Sequence, residues 1–131
     1  MAPKISEAKY QKNLSNFLRE KGWTTELEKQ TSWGVIDIYA TCPNGKVFII
    51  ETKRYSTLNY ISSAYGQLSF YSLHHKDAVL VIATPSPAKK ELRMSASLLP
   101  TQVQFISGYE VPFGFTSSCP DDEYEDMEEE N

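Results

Sequence analysis

Three charged side chains stand where a β-strand is expected to be apolar. Asp37 interrupts Val35-Ile36-Asp37-Ile38-Tyr39, and Glu51 and Lys53 close the run Phe48-Ile49-Ile50-Glu51-Thr52-Lys53. An ionised group in such a run is costly unless something compensates it. The turn Pro43-Asn44-Gly45 separates the two runs, and its length decides which residues meet. A two-residue loop, Asn44-Gly45, sets Asp37 opposite Thr52. A three-residue loop, Pro43-Asn44-Gly45, sets Asp37 opposite Glu51. Pro43 suits the second position of a type I turn and Gly45 the left-handed position after it, so the three-residue loop is expected. It places Asp37, Glu51 and Lys53 on one face, since a slip of one residue would turn every side chain over.

Carboxylates opposed in this way have Cβ atoms roughly 5 Å apart and repel one another in a plain sheet. A divalent cation between them removes the conflict. Magnesium takes oxygen ligands, often one or two carboxylates and several waters. The Lys53 ammonium, two residues past Glu51, projects to the same face and is suited to stabilising charge on a phosphate or helping to activate water. The competing reading is a buried Asp/Glu/Lys ion-pair cluster without chemistry. Such clusters stabilise poorly compared with apolar packing, which favours the site.

The elements that must position these residues can be read from periodicity. Ser6 to Lys21 is a helix, with Ser6 as N-cap, Tyr10, Leu14, Phe17 and Leu18 on its apolar stripe, and Gly22 as its stop. Glu7 falls on that stripe, and two readings stand: a first-turn acid favoured by the helix dipole, or a carboxylate aimed inward at a site. Trp23 to Gln30 is a first strand, joined through Thr31-Ser32-Trp33-Gly34 to the hairpin. A second helix runs from Leu58 to Leu73, with Ile61, Ala64, Tyr65, Leu68 and Tyr71 inward. Gln67 is either a polar residue at the helix edge or an amide directed at the site or at a backbone phosphate. His74-His75 reads as a C-terminal cap, since no Cys or further His stands near it to complete a metal site. Ala78 to Ala83 is unbroken apolar sequence, the mark of a strand covered on both faces. Ala88 to Leu99 reads as a third helix, with Leu92, Ser95 or Ala96, and Leu99 inward and Lys89, Lys90 and Arg93 outward. Val103 to Ile106 is a last strand, and Val111, Phe113 and Phe115 form an arm.

The chain has 131 residues, enough for one domain with its own core, and its 40% hydrophobic content is ordinary for a globular protein. No apolar run is long enough to span a membrane, and the N-terminus has no signal-peptide core. Cys42 and Cys119 are too few for a disulfide framework, so a reducing compartment is expected. The net charge of -4 hides a division, because eight acidic residues lie within residues 121–130. Residues 1–120 carry thirteen Lys and Arg against nine acids, a body at +4. A mildly basic body is compatible with a polyanion partner. The expected organisation is a folded domain over residues 1–116 and an acidic, disordered tail over residues 117–131.

The order helix, antiparallel hairpin, helix, buried strand, helix, strand carries Gly34-Val35-Ile36-Asp37, Glu51-Thr52-Lys53 and Gln67 at set places along it. This ordered set resembles the PD-(D/E)XK nuclease superfamily, the restriction-endonuclease-like fold. Ala64-Tyr65-Gly66-Gln67-Leu68-Ser69-Phe70-Tyr71 is most similar to the archaeal-type Holliday-junction resolvases. The likeness covers roughly residues 6 to 83 and rests on the whole set more than on any one motif. It implies an α/β fold with a central mixed sheet of about five strands flanked by helices. It also implies a magnesium-dependent deoxyribonuclease, accepting manganese, that hydrolyses phosphodiester bonds in DNA and selects branched structures, as in recombination. By that resemblance Asp37 and Glu51 bind the ion with the Thr52 carbonyl, and Glu7 completes the metal environment. Lys53 orients or activates the attacking water or stabilises the pentavalent phosphate, and Gln67 supports the site. Ser32 touches phosphate, and Arg54, Lys89, Lys90 and Arg93 are candidate DNA contacts. A homodimer or higher homo-oligomer is implied, in the cytoplasm (nucleoid) or nucleus, neither secreted nor in a membrane. The alternatives on the same core are a sequence-specific or mobile-element endonuclease, and a non-catalytic nucleic-acid-binding module.

Overall fold

A computed structural model describes residues 5–112 of the chain. The expected arm residues Phe113 and Phe115, and the boundary and tail from residue 113 onward, lie outside the described residues.

Helix α1 spans Glu7–Glu20 and opens as its sequence suggests, with the Ser6 hydroxyl accepting the Lys9 N–H at 3.1 Å. Gly22, at φ +94°, takes the left-handed turn that ends it. Strands β1 (Thr24–Thr31), β2 (Gly34–Thr41) and β3 (Val47–Thr52) follow, then α2 (Leu58–Tyr71), β4 (Val79–Thr84), α3 (Lys90–Ala96) and β5 (Gln104–Ser107). The five strands form one mixed sheet in the order β1-β2-β3-β4-β5, antiparallel from β1 to β3 and parallel from β3 to β5. The α/β architecture expected from the sequence is thus present.

Each face of the sheet has its own core. Tyr10, Leu14 and Leu18 of α1 pack on Ile38, Ala40, Phe48, Ile50, Val81 and Ala83. Ile61, Ala64, Leu68 and Tyr71 of α2 pack on Ile36, Ile49, Leu80 and Ile82 of the other face. Strands β3 and β4, apolar on both sides, lie between the two layers and are buried almost throughout.

The hairpin register is the one the three-residue loop demands. The β2–β3 ladder runs from Thr41↔Val47 through Ala40↔Phe48 and Tyr39↔Ile49 to Ile38↔Ile50. The Gly45 N–H closes the turn on the Cys42 carbonyl at 2.9 Å, and Gly45 sits at φ +95°.

Two details differ from what the sequence leads one to expect. Helix α3 has seven residues, Lys90–Ala96, and Leu99 lies outside it with 44% of its surface exposed. Proline at 100 and the serines at 95 and 97 favour an early stop over a longer amphipathic helix. The pair His74-His75 closes α2 as expected, both backbone N–H groups donating to the Tyr71 carbonyl at 3.1 Å, while the two rings lie against Trp33 and Tyr39 at centroid distances of 5.1 and 5.9 Å. Strand β2 also breaks its own alternation at Asp37: Ile38 serves the α1-side core and Ile36 the α2-side core. The paired strand β1 breaks at the same rung. Glu28 takes φ +53°, and the ladder passes from Leu27↔Ile38 to Lys29↔Ile36 without a Glu28–Asp37 pair.

Candidate active site

The ladder between β2 and β3 ends at Ile38↔Ile50, one rung short of Asp37 and Glu51. Freed from regular pairing, the Asp37 carboxylate turns to Thr52. Its Oδ2 accepts the Thr52 backbone N–H at 2.9 Å and the Thr52 hydroxyl at 2.9 Å. The Asp37 carbonyl is held from behind by the side-chain amide of Gln11, which donates to it at 3.1 Å and to Glu28 Oε2 at 3.4 Å. The Gln11 carbonyl oxygen in turn accepts the Thr52 hydroxyl at 3.4 Å. Both Gln11 and Thr52 are buried.

Glu51 is buried at 2% exposure, and its Oε1 has no hydrogen-bond partner. Burial pushes its pKa up to about 9, assisted by the nearby Asp37 charge and opposed by Lys53. The two carboxyls are close enough to share a proton, and this contact raises Glu51 while lowering Asp37. Asp37 itself lies above the usual carboxylate range because burial outweighs the lowering by its Thr52 bonds, Glu51 and Lys53. Lys53 acts on both acids through space. Among the described residues it forms no ion pair with either, whereas Lys29 and Glu26 do pair, at 3.4 Å. A compact Asp/Glu/Lys ion-pair cluster is therefore not what these strands build.

Helix α2 closes one side. Tyr71 donates its hydroxyl to the Val35 carbonyl at 2.8 Å, and burial followed by the charges of Glu51 and Asp37 raises its pKa. The Gln67 amide lies against that hydroxyl, and Gln67 Oε1 is a second buried oxygen without a partner. Gly34, at φ +134°, allows this approach: a Cβ there would stand 3.2 Å from the Tyr71 hydroxyl. Glu7, in the first turn of α1, is half-buried, and its charge also raises Glu51. It does not join a triad, since no group of three His, Cys, Asp or Glu able to hold a metal ion occurs among the described residues.

The remaining candidates are peripheral. Ser32 is exposed in the β1–β2 turn, and Arg54 is exposed beyond Lys53, its guanidinium 5.2 Å from the Tyr55 ring centroid. Lys89, Lys90 and Arg93 are exposed at and within α3. A cleft of about 550 Å³ between Ser56-Thr57 and Lys89 brings the start of α3 near the loop that follows Arg54. The structure thus gathers Asp37, Glu51, Thr52, Lys53, Gln67 and, at longer range, Glu7, and leaves the candidate phosphate contacts spread around them.

Gln11 and Tyr71 were not anticipated as parts of this site. Gln11 had a usable signal: it lies four residues after Glu7, hence on the same side of α1. The donor set suits a hard divalent cation, because the buried, unpartnered Glu51 Oε1 beside Asp37 leaves acceptor capacity that the protein does not use.

No protein-family model matches the chain, and no curated protein does. Solved structures do. A repair endonuclease from Pyrococcus abyssi superposes with a TM-score of 0.57 at 17% identity, covering 82% of this chain and 50% of that one. The fold is shared with an endonuclease. An EndoMS–dsDNA2 complex gives a TM-score of 0.54 at 17% identity, covering 85% of this chain and 48% of the other. The chain therefore spans about half the length of each. No helix among the described residues is long and apolar enough to cross a membrane.

Proposed function

We propose that this chain is a magnesium-dependent DNA endonuclease of the PD-(D/E)XK type, selective for branched DNA in the manner of a Holliday-junction resolvase and active as a homodimer. The carrying observation is the facing pair Asp37 and Glu51, with an unpartnered Glu51 oxygen buried at the end of a parting ladder. The similarity in fold to a repair endonuclease and to EndoMS, the latter in complex with dsDNA, supports DNA as the substrate.

Asp37, Glu51 and the Thr52 carbonyl would hold the ion, with the Glu7 charge acting on Glu51 from α1 at longer range. Bound there, magnesium or manganese would supply charge stabilisation at the phosphate and lower the pKa of water. The chain's own residues do the rest. Thr52 and Gln11 hold Asp37 in place. Lys53, whose charge acts on both acids, would stabilise negative charge on the phosphate or orient the attacking water. Gln67 and Tyr71 wall the site on the α2 side. Ser32, Arg54, Lys89, Lys90 and Arg93 would contact the DNA backbone.

The test is a cleavage panel of four-way junctions, flaps, single strands and plasmid, with magnesium or manganese against a chelator. Cleavage should need the metal, favour the junction, and vanish in Asp37→Ala and Lys53→Ala. Absence of cleavage on every substrate, or activity indifferent to both substitutions, refutes the reading.

A further inference from the structure

Three rings cluster on open surface beside this site. Trp33, 49% exposed, lies against Phe70, 55% exposed, with centroids 5.8 Å apart and planes inclined by 20°. His74 stands 5.1 Å from the same indole. Exposed apolar rings held together in this way mark an interaction surface more than a core. The rings come from the β1–β2 turn and the end of α2, and each of the two large ones adjoins a residue that walls the site. Trp33 precedes Gly34, and Phe70 precedes Tyr71, whose hydroxyl feels Glu51 and Asp37.

The same His74 borders a cleft of about 320 Å³ that also takes in Tyr39, Lys46, His75 and Lys76, with Asp77 as the acid in its lining. An aromatic platform running into a cationic cleft is the combination that binds single-stranded nucleic acid, where bases stack and phosphates follow the positive charges. A protein-docking patch would instead be depleted of lysine. A base within a duplex has its faces covered by its neighbours, so only an unpaired base has a face to lay on Trp33.

We infer that Trp33, Phe70 and His74 form a stacking platform for an unpaired DNA base, with Lys46 and Lys76 holding the adjoining phosphates. The choice of DNA rests on the nuclease reading above; the platform itself rests on the rings and the cleft.

The experiment uses the intact chain in a chelator, so that binding is read without cleavage. Tryptophan emission is followed on titration with oligothymidine, with a duplex carrying a one-nucleotide gap, and with the fully paired duplex. Oligothymidine and the gapped duplex should quench Trp33, and the paired duplex should not. Trp33→Ala should weaken binding to the gapped duplex about tenfold, whereas Trp33→Phe, which keeps a ring, should lose far less. Lys46→Ala with Lys76→Ala should flatten the salt dependence of binding. Unchanged affinity of Trp33→Ala, equal quenching by the paired duplex, or quenching that follows protein concentration without DNA (a second copy covering the rings) would each overturn the inference. Cleavage in magnesium, measured in parallel, separates the two readings: binding and quenching without cleavage removes the nuclease and keeps the platform, while cleavage with no effect at Trp33 does the reverse.

Discussion

Asp37 is tied to Thr52 by two bonds, besides its contact with its cross-strand neighbour Glu51. Its carboxylate accepts the Thr52 N–H and hydroxyl, both at 2.9 Å, at the point where β2 and β3 stop pairing. One acid is thereby held as an acceptor by two donors, while the other, Glu51, is buried with an oxygen left over. The asymmetry separates two chemically similar carboxyls and underlies the predictions for Thr52, Glu51 and Gln11 below.

Replacing Thr52 by Val keeps the branched shape and the backbone N–H but removes the hydroxyl that links Asp37 to Gln11. The expected cost is about 1 kcal/mol of stability, the usual worth of such a bond. Magnesium should also bind more weakly, because Asp37 loses a donor that favours its ionised form. Denaturant unfolding and a calorimetric magnesium titration check the two effects separately. Unaltered magnesium affinity would show that the backbone N–H alone holds the carboxylate.

The pH dependence of the metal-free protein should follow Glu51. Its folded-state pKa, pushed up to about 9, lies above the ordinary 4.5. The folded state therefore keeps a proton that the unfolded chain has released, and stability falls as pH rises from about 4.5 through about 9. Glu51→Gln removes the titrating group, so it should stabilise the metal-free protein at pH 8, by about 1–3 kcal/mol, and leave it nearly unchanged at pH 4. Thermal melts of both proteins in chelator across this range are the measurement. Magnesium uptake at pH 7 should release protons, because the ion requires the ionised carboxyl.

How legible this was in the sequence depends on the scale of the feature. The three-residue turn followed from Pro43 and Gly45, whose backbone preferences are local, and it carried the hairpin register with it. The burial of β4 followed from an unbroken apolar run. The break in alternation at Asp37 was not legible, because it depends on Glu28 of a neighbouring strand adopting φ +53° and on Gln11 of a distant helix. The exposed cluster of Trp33, Phe70 and His74 was equally hidden: each residue alone has an ordinary explanation, and only the packing of α2 against the β1–β2 turn brings them together.

Gln11 joins α1 to the site through three polar partners: the Asp37 carbonyl, Glu28 and the Thr52 hydroxyl. Gln11→Leu keeps comparable bulk and strands these groups in a buried setting, which should cost about 1–3 kcal/mol. If Gln11 only stabilises the fold, cleavage at a temperature well below the melt should be unaffected. If it positions Asp37, kcat should fall with KM for DNA little changed, and the magnesium concentration giving half-maximal rate should rise. A steady-state magnesium titration of cleavage distinguishes the two.

Gly34 combines a left-handed backbone with a close neighbour, and the two can be separated. Gly34→Ala places a Cβ 3.2 Å from the Tyr71 hydroxyl at φ +134°. A contact of that length yields to a shift of a few tenths of an ångström, whereas the backbone conformation cannot be relieved without moving β2. The expected loss is therefore about 1–3 kcal/mol, mostly from backbone strain. Tyr71→Phe alone should cost about 1 kcal/mol through the lost bond to the Val35 carbonyl. If strain dominates, the double variant should show the two losses added to within about 0.5 kcal/mol. A double variant clearly more stable than that would mean that the hydroxyl contact, not the backbone, is what requires glycine at this position.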